Sequence, residues 1–333
     1  MKKLMILFLV PLFVLLVGCT GHDISKILFI ASVGIEKEED EYHGYFYLPL
    51  SSDIGKTETS ENKGKGQFAK TTGKTIPELF YNIQASTSLN INFKHVSSIV
   101  LNMELLNDEF LVQLLDFIKY SLLIDFNCYV FATTEKLEEL YDFQNPNEES
   151  VLNSLLVSTS DISTLFLVAS PVHFLKFTRE FYLNRSILIP ALVLEELWTI
   201  DSEKVKNFHV QTAVYYYNDK IKKVEKNPSS PYFSKATEFI DKINDTSMNI
   251  KCYSMTVDYK RLLQVKVEFS YELYKSDNHI SEEEIKAFVH KRIEDYIIEY
   301  QEFDPLNLDY FNSVYKNSCT YDTMDIQVVI KKN

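Results

Sequence analysis

Two glycine-containing segments have spacings that could hold a phosphate group. Gly64-Lys65-Gly66-Gln67-Phe68-Ala69 fits a G-x-G-x-x-A pattern, and Gly73-Lys74-Thr75 ends like a P-loop. A dinucleotide-binding turn follows directly after an apolar strand, which the first segment lacks, and a P-loop requires glycine at the position that Phe68 occupies. We therefore interpret both segments as loop sequence and predict no nucleotide or other cofactor.

The other reactive residue types form no recognisable catalytic or metal-binding pattern. The chain has seven histidines but neither an H-E-x-x-H motif nor Cys/His pairs at zinc-ligand spacing. No G-x-S-x-G sequence could present a serine nucleophile. His95 falls in a predicted strand and is interpreted as a structural histidine, and Glu282–Glu284 is interpreted as a helix start. The sequence therefore predicts no catalytic residue, no metal site and no enzyme activity, and it defines no ligand-binding residue.

Three cysteines lie in the body of the chain, and an odd number cannot pair completely. Cys128 occurs in an apolar stretch typical of a buried strand, so we expect a small core residue there. A disulfide between Cys252 and Cys319 would suit an exported protein, but spacing alone cannot fix the pairing. The oxidation state of these two residues stays open at this level.

The most specific chemical signal is at the amino terminus. Lys2 and Lys3 precede an apolar run from Leu4 to Val17, which is too short to cross a bilayer because a spanning helix needs about 20 residues. Such a run is typical of a secretory signal. It ends in Leu16-Val17-Gly18-Cys19, which resembles the bacterial lipobox.

The lipobox resemblance implies signal cleavage between Gly18 and Cys19 and a diacylglycerol joined to the Cys19 sulfur. An ordinary signal peptide with an incidental cysteine is the alternative. The order of the four residues, their position at the end of the apolar run and the polar Thr20–Asp23 segment favour lipidation. Stable attachment needs two or more acyl chains, because a single chain binds membranes only marginally.

The composition is that of a globular and strongly acidic protein. The chain has 333 residues, of which 46% are apolar and 24% are charged, and its formal net charge is −13. Nucleic-acid binding requires clustered lysine and arginine, so this charge argues against a nucleic-acid partner. An acidic body is also repelled by an anionic membrane surface, so acyl chains rather than charge would hold the protein there.

The hydrophobic periodicity predicts an α+β fold of several mixed sheets with flanking helices. Residues 24–142 alternate strands with helices, and helices are predicted to begin at Thr75 and to span Phe110–Leu122. The last third of the chain has the alternation of antiparallel strands, most clearly over Leu262–Tyr274, and a capped helix after Ser281. We therefore expect an antiparallel sheet at the carboxyl-terminal end.

Four local predictions accompany this layout. Ile24–Ile35 is apolar enough for a single buried strand, and Ser51–Lys74 is polar and glycine-containing, which favours a loop. Pro190 is placed at a sheet edge because proline cannot donate to a strand ladder. Ser234–Ile243, which follows Pro231, is predicted to be helical.

The domain organisation is predicted from changes in composition along the chain. All eight glycines occur at or before Gly73, so nucleotide-binding turns are not expected later. We expect residues 1–18 to be the signal peptide and residues 19–200 to form an N-terminal α/β region that divides into two subdomains near residue 145. Residues 201–333 are expected to form a C-terminal α+β domain.

Three segments near the start of the mature chain together resemble one protein family. They are Val33–Glu38, a strand end that turns into acidic residues, Gly73–Leu79, a G-x-T-I-x-E-x helix start, and Phe93–Val100, an F-x-H-x-x-x-I-V strand. Ile189–Leu192 and Thr212–Ile221 look like the family's P-x-L segment and strand-turn-strand. On these motifs the chain is identified as a member of the Ger(x)C family, the lipoprotein C subunits of bacterial spore germinant receptors.

The resemblance implies a non-enzymatic protein on the outer face of the inner spore membrane, with a multi-domain α+β fold. It also implies partnership with a polytopic A subunit and a membrane-embedded B subunit in a receptor that responds to nutrients. Neither the nutrient nor the surface that meets the partners follows from the motifs. The alternatives are a lipid-anchored solute-binding component of a transporter, which would need two doubly wound domains, and an anchored hydrolase, for which no nucleophile–base pair is recognisable.

Overall fold

The structure, a computed structural model, describes residues 26–49, 67–142, 171–200, 203–224, 238–243, 246–259, 263–274, 280–316 and 318–331. Gly18, Cys19 and the subdomain division predicted near residue 145 lie outside these residues. Within the described part of the chain, no helix is long and apolar enough to cross a membrane.

The described residues form three sheets flanked by helices. The strands are β1 (Ile27–Phe29), β2 (Ser32–Glu38), β3 (Glu41–Leu48), β4 (Gln67–Gly73), β5 (Asn90–Asn92), β6 (Ser98–Asn102), β7 (Tyr129–Thr133), β8 (Val172–His173), β9 (Ile187–Ile200), β10 (Glu203–Tyr217), β11 (Lys220–Val224), β12 (Glu238–Ile243), β13 (Thr246–Asp258), β14 (Gln264–Tyr274) and β15 (Asp325–Ile330). The α-helices are α1 (Ile76–Ala85), α2 (Asp108–Ser121), α3 (Leu137–Asp142), α4 (Phe174–Tyr182), α5 (Glu282–Tyr300) and α6 (Leu308–Tyr315). This confirms the predicted α+β fold class with mixed sheets.

The largest sheet is mixed, with parallel strands at its centre. Its order is β11-β10-β9-β7-β6-β2-β3-β4, and the short β8 pairs with β7. The neighbours β2–β6, β6–β7 and β7–β9 are parallel, whereas β3–β4 and β10–β11 are antiparallel pairs at the two edges. The β10–β11 turn has Asn218 and Asp219 at positive φ, 48° and 62°, as a two-residue hairpin turn requires.

Alternation along the strands gives this sheet two different faces. On β2, Val33 and Ile35 join the apolar core under α1, α2 and α4, whereas Gly34 lies against α3 on the opposite face. The first face is the larger core, because three helices cover it. Burying one large apolar side chain contributes about 1.5–3 kcal/mol, so this face dominates the stability of the sheet.

Local sequence explains where the first two of these helices begin. Thr75 caps α1 by accepting a hydrogen bond from the backbone N–H of Glu78, and Pro77 occupies the first turn, where its missing N–H costs nothing. Asn107 caps α2 in the same way through the N–H of Phe110. Both helices bury an apolar face. On α2 it consists of Phe110, Leu111, Leu114, Leu115 and Ile118, with Phe117 half-buried beside them.

The C-terminal sheet has the order β12-β13-β14-β15. Its first three strands are antiparallel, as predicted, and β15 adds parallel to β14. The inward-facing residues of β14 and of the position just before it are at most 1% exposed. They are Leu263, Val265, Val267 and Phe269. They form one core with Ile285 and Val289 of α5, which begins at the predicted capping box of Ser281 and Glu284.

The two larger sheets meet through a cluster of tyrosines. Tyr215 of β10 lies on the face opposite α2, and its hydroxyl is 3.0 Å from that of Tyr296 on α5. The ring centroids of Tyr215 and Tyr300 are 5.3 Å apart, and Phe303 completes the cluster. The end of α5 therefore packs on the same face of the large sheet as α3, but nearer to β10 and β11.

Two predictions about strands require correction. Ile24–Ile35 is not one strand, because β1 pairs in parallel with β5 as a separate two-stranded sheet and the chain re-enters the large sheet at Ser32. The polar segment Ser51–Lys74 is not all loop, since its last residues form β4 as an edge strand beside β3. Residues 51–66 lie outside the described part.

Two further predictions were wrong for tertiary reasons. The described part of Ser234–Ile243 is strand β12 rather than helix, because it pairs antiparallel with β13. Phe239 and Ile243 face the core, and Ile240 between them is 66% exposed. Pro190 is not on an edge strand, since β9 lies between β10 and β7. The register between β9 and β7 begins at Ala191, so the missing N–H of Pro190 breaks no bond to β7.

The domain division expected at 200/201 stays a prediction. Residues on its two sides belong to β9 and β10, which pair as one antiparallel hairpin in the large sheet. The large sheet ends along the chain at Val224, and the C-terminal sheet begins at Glu238.

Candidate functional site

The residues predicted to be processed are outside the described part of the chain. Lys26, the first described residue, follows Cys19 by seven positions. The lipid attachment at Cys19 and the cleavage after Gly18 therefore stay predictions. What the structure does describe is a buried polar network where α3 meets the large sheet, and this network contains the first family-like motif.

Glu36 is the buried carboxylate at the centre of this network. It lies on β2 and is 5% exposed. One oxygen accepts a hydrogen bond from the Tyr45 hydroxyl at 2.6 Å, and the other accepts one from the backbone N–H of Leu137 at 3.0 Å. The second bond holds the first turn of α3, where a negative charge also suits the helix dipole. Burial and the bond to Glu36 raise the pKa of Tyr45, so its hydroxyl remains a donor at neutral pH.

Gly34 and Tyr141 explain why the motif contains a glycine. A Cβ at position 34 would lie 2.8 Å from Cε2 of Tyr141, closer than carbon atoms approach. The Tyr141 hydroxyl is 2.7 Å from Ser32 Oγ, which in turn accepts a hydrogen bond from Ser98 at 2.7 Å. The glycine is therefore required by the close approach of α3, and the hydroxyl chain satisfies polar groups that this approach buries.

Lys70 connects the network to the surface. Its ammonium group is 2.8 Å from Glu138 on α3 and 5.1 Å from the ring centroid of Tyr45. The hydrogen bond with Glu138 raises the pKa of Lys70, and Lys70 lowers the pKa of Glu138. Because Glu138 is exposed, this ion pair orients α3 relative to β4 more than it stabilises the fold.

Glu36, Glu38 and His43 are the residues that could hold a metal ion. Their ligand atoms lie within 4.8 Å of one another, since β2 and β3 pair Glu36 with His43. A structural zinc site uses four ligands, and this group has three among the described residues. Glu36 already accepts hydrogen bonds from the Tyr45 hydroxyl and the Leu137 backbone N–H. His43 Nδ1 is 3.6 Å from Glu38. We therefore assign Glu36 to the hydrogen-bonding network, whereas the buried His43 Nδ1 has no hydrogen-bond partner among the described residues.

The thiols are placed as core residues. Cys128 and Cys319 are buried, and all three described cysteines are present as thiols rather than in a disulfide. Burial raises the pKa of Cys128 to about 12 and that of Cys252 to about 11. A protonated thiol is a poor nucleophile, so neither residue has the properties of a reactive cysteine at neutral pH.

The remaining singled-out residues have structural positions. The prediction that His95 lies in a strand was wrong. His95 lies in the exposed turn before β6, where its ring is 5.0 Å from that of Phe29. Glu282–Glu284 occupies the first turn of α5, as predicted. Sequence reasoning missed the contacts of Glu36. The only available signal was an acid directly after buried residues in Val33–Glu38, and which helix covers that strand cannot be read from spacing.

The chain is similar to a known protein family and to a solved structure. A family model described as "Spore germination protein N-terminal domain" matches residues 21–194, more than half of the chain. Among solved structures, the chain is similar to one titled "Crystal Structure of the GerBC protein", with 12% identity, a TM-score of 0.47, and coverage of 90% of this chain and 97% of that chain. No curated protein sequence matches.

The family match spans the motifs singled out in Val33–Glu38, Gly73–Leu79 and Phe93–Val100. In the structure, the motif Val33–Glu38 contacts the start of α3, and the motif Gly73–Leu79 contains the first turn of α1. Both motifs therefore have a structural role in the fold. The chain therefore belongs to the Ger(x)C family of spore germination proteins.

Proposed function

We propose that the protein is the lipid-anchored C subunit of a spore nutrient germinant receptor. The observation that carries the proposal is the order of two features at the amino end. The lipobox ends at Cys19, and the match to the germination domain begins at residue 21. The predicted acyl anchor is thus joined to this domain without an intervening segment, as expected for a body held at the outer face of the inner spore membrane.

The protein acts in this proposal through contacts with the A and B membrane subunits, supporting nutrient-triggered germination. Exposed apolar side chains on the outer helices support such a role, because large exposed apolar residues mark interaction sites when they cluster. Tyr120 at the end of α2 is 76% exposed, and Tyr182 on α4 is 50% exposed. The two helices are adjacent here, since the Tyr182 hydroxyl is 3.1 Å from Asp116 of α2.

The proposal includes no enzymatic step. In the part of the chain that the structure describes, the buried network around Glu36 is committed to holding α3, and the two thiols with raised pKa values are protonated. A solute-binding component would instead need two doubly wound domains. The described C-terminal residues form a sheet with three antiparallel strands, which does not support that alternative.

Replacement of Cys19 tests the anchor and the assembly together. We expect Cys19→Ala to lose incorporation of labelled fatty acid and to move from the membrane to the soluble fraction, because the thioether carries the attachment. Spores with this variant should respond more weakly to nutrients. From detergent extracts of wild-type spores, the A and B subunits should co-purify with the chain.

Cys252→Ala is the matched control, since this half-buried thiol is far from the amino terminus and should leave labelling intact. Labelled, membrane-bound Cys19→Ala protein would contradict the anchor. An anchored wild-type chain that captures neither membrane subunit would contradict the receptor assignment and leave the anchor standing.

A further inference from the structure

The parallel strands β2, β6 and β7 of the large sheet begin at one edge, and the described chain also begins there. Ser32 pairs with Ser98 and Ser98 with Tyr129, so the three strands start at the same level. β1 directly precedes β2, and six residues separate Lys26 from Cys19. We call this edge the amino edge. It consists of the segments that precede the three strands, Ile27–Ala31, Phe93–Ser97 and Leu122–Cys128.

Backbone hydrogen bonds connect the amino edge from β1 to the start of α4. The Ala31 carbonyl accepts a hydrogen bond from the Ser97 N–H, and the Ser97 carbonyl accepts one from the Tyr129 N–H, each at 2.8 Å. The Leu175 N–H in the first turn of α4 donates to the Phe126 carbonyl at 3.2 Å. Leu175 is therefore held beside the segment that precedes β7.

Two leucines give the amino edge an exposed apolar surface. Leu175 is 61% exposed, and Leu122, which ends α2 four positions before Phe126, is 67% exposed. The strand that follows Leu122 is β7, which is two strand spacings, about 10 Å, from β2. The chain that leads from Cys19 enters the body at β1, just before β2. The exposed leucines and the predicted anchor therefore belong to the same edge.

The backbone conformation of Leu122 makes its exposure unusual. Its φ is 52° and its ψ is 23°, the left-handed conformation, in which the Cβ of most residues is too close to the following carbonyl oxygen. A helix that ends in this conformation usually has glycine or asparagine there. The chain instead retains a strained backbone and an exposed apolar side chain at one residue. Such strain clusters at functional sites, and exposed apolar surface marks contact with a partner or a membrane.

The charges near these leucines do not select the contact. Lys94 and Lys119 are exposed, and so is Asp125 between α2 and β7. Because both signs are present in an acidic chain, contact with a bilayer would come from apolar burial, and it should not require anionic lipid.

We infer that the amino edge lies against the lipid surface, with Leu122 and Leu175 inserted among the headgroups. This inference rests on the proposed lipid anchor, because two leucine side chains bury too little apolar area to hold a protein on a bilayer by themselves. The acyl chains supply the attachment, and the leucines determine which side of the body faces the bilayer. The opposite edge, where the parallel strands end, faces away from it.

Quenching by spin-labelled lipid tests this orientation in the full, anchored chain. Leu122→Cys and Leu175→Cys are each labelled with a polarity-sensitive nitrobenzoxadiazole probe, reconstituted into phosphatidylcholine vesicles and floated. We expect headgroup spin labels to remove most of the fluorescence at both positions and the emission to shift to shorter wavelength. Wild type treated in the same way gives the background, since its described thiols are buried or half-buried.

Val112→Cys with the same probe is the matched control. Val112 is also an exposed apolar residue of α2, but it lies ten positions before Leu122, about 15 Å along the helix. Its fluorescence should not be quenched.

Leu122→Asn distinguishes lipid contact from a role in folding. Asparagine tolerates the left-handed conformation and exposes no apolar side chain, so we expect the urea midpoint to rise while the probe at position 175 loses much of its quenching. A lower midpoint with unchanged quenching would show that Leu122 serves the fold and would contradict the inference.

A floated chain with unquenched probes at positions 122 and 175 would overturn the inference and leave the anchor standing. Equal quenching at position 112 would also overturn it, because the body would then not lie on its amino edge. An emission shift without lipid quenching would mean that protein, such as a second copy of the chain, covers the leucines instead. A wild-type chain that does not float would contradict the anchor and this inference together.

Discussion

Glu36 and Glu180 are both buried acidic side chains, but their oxygen atoms have different partners. Glu36 accepts hydrogen bonds from a tyrosine hydroxyl and a backbone N–H, whereas Glu180 is paired with the guanidinium groups of Arg179 and Arg185. Burial opposes the charge of Glu180, yet the two arginines hold the pKa of this carboxyl below its usual value. Its contribution to stability therefore depends on pH.

At the residue scale we predict a loss of stability in acid that Glu180 partly causes. A lowered folded-state pKa means that the unfolded chain takes up the proton first, so the stabilisation is complete above the unfolded pKa, near 4.5, and is lost as the pH falls below it. Urea unfolding at pH 6 and pH 3.5 measures this. Wild type should lose more stability between the two than Glu180→Gln does.

The control for this pH dependence is Glu139→Gln, which alters an exposed carboxylate on α3. It should keep the pH dependence of the wild type. Equal pH dependence in wild type and Glu180→Gln would show that the arginine pairs do not matter to folding.

The role of a residue can be predicted from sequence when it depends on neighbouring residues, and not when it depends on contacts with distant elements. Cys19 can be recognised because the lipobox is four adjacent residues. The contacts of Glu36 could not be predicted, because Tyr45 and Leu137 reach it from two other elements. The hydrogen bond between the Ser186 N–H and Asn307 could not be predicted for the same reason, since the two residues are far apart in the chain.

Elements with local start signals were predicted well, and those decided by pairing were not. The caps at Thr75 and Ser281 act within one turn of helix, so the spacing of a few residues is sufficient. Phe239 and Ile243 are four residues apart, which suits a helix as well as a strand. Pairing of β12 with β13 decides the matter, and the sequence of one segment does not contain that information.

At the element scale, two fragments test the division expected at 200/201. If the units separate there, residues 20–200 should fold as well as residues 20–224. Because β10 pairs along β9 on both sides of the bulges in their register, we expect only the longer fragment to unfold cooperatively in urea. Cooperative unfolding of the shorter fragment, followed by circular dichroism, would support the 200/201 division.

At the scale of the whole molecule, the tyrosine cluster joins the large sheet to the C-terminal sheet. Tyr296 is fully buried; it contacts Tyr215 across this junction and packs against Tyr300 of its own helix. We predict that Tyr296→Ala destabilises the protein by about 3–5 kcal/mol, the usual cost of deleting a large buried ring, and separates unfolding into two calorimetric transitions.

Ile298→Ala on the same helix is the control, because Ile298 is 55% exposed and its truncation should leave one transition. A single transition for Tyr296→Ala, at an unchanged temperature, would mean that the two sheets are coupled elsewhere.

The short chain between Cys19 and the β1–β5 sheet limits how far the folded body can lie from a bilayer. Where Cys19 carries the acyl chains, Lys26 follows after seven peptide steps, and an extended chain covers at most about 3.6 Å per residue. The maximum length of this connecting segment is therefore about 25 Å, less than the thickness of one bilayer. If Cys19 is lipidated, β1 can therefore lie no more than about 25 Å from the attachment point, a distance that keeps partners embedded in the same membrane within reach.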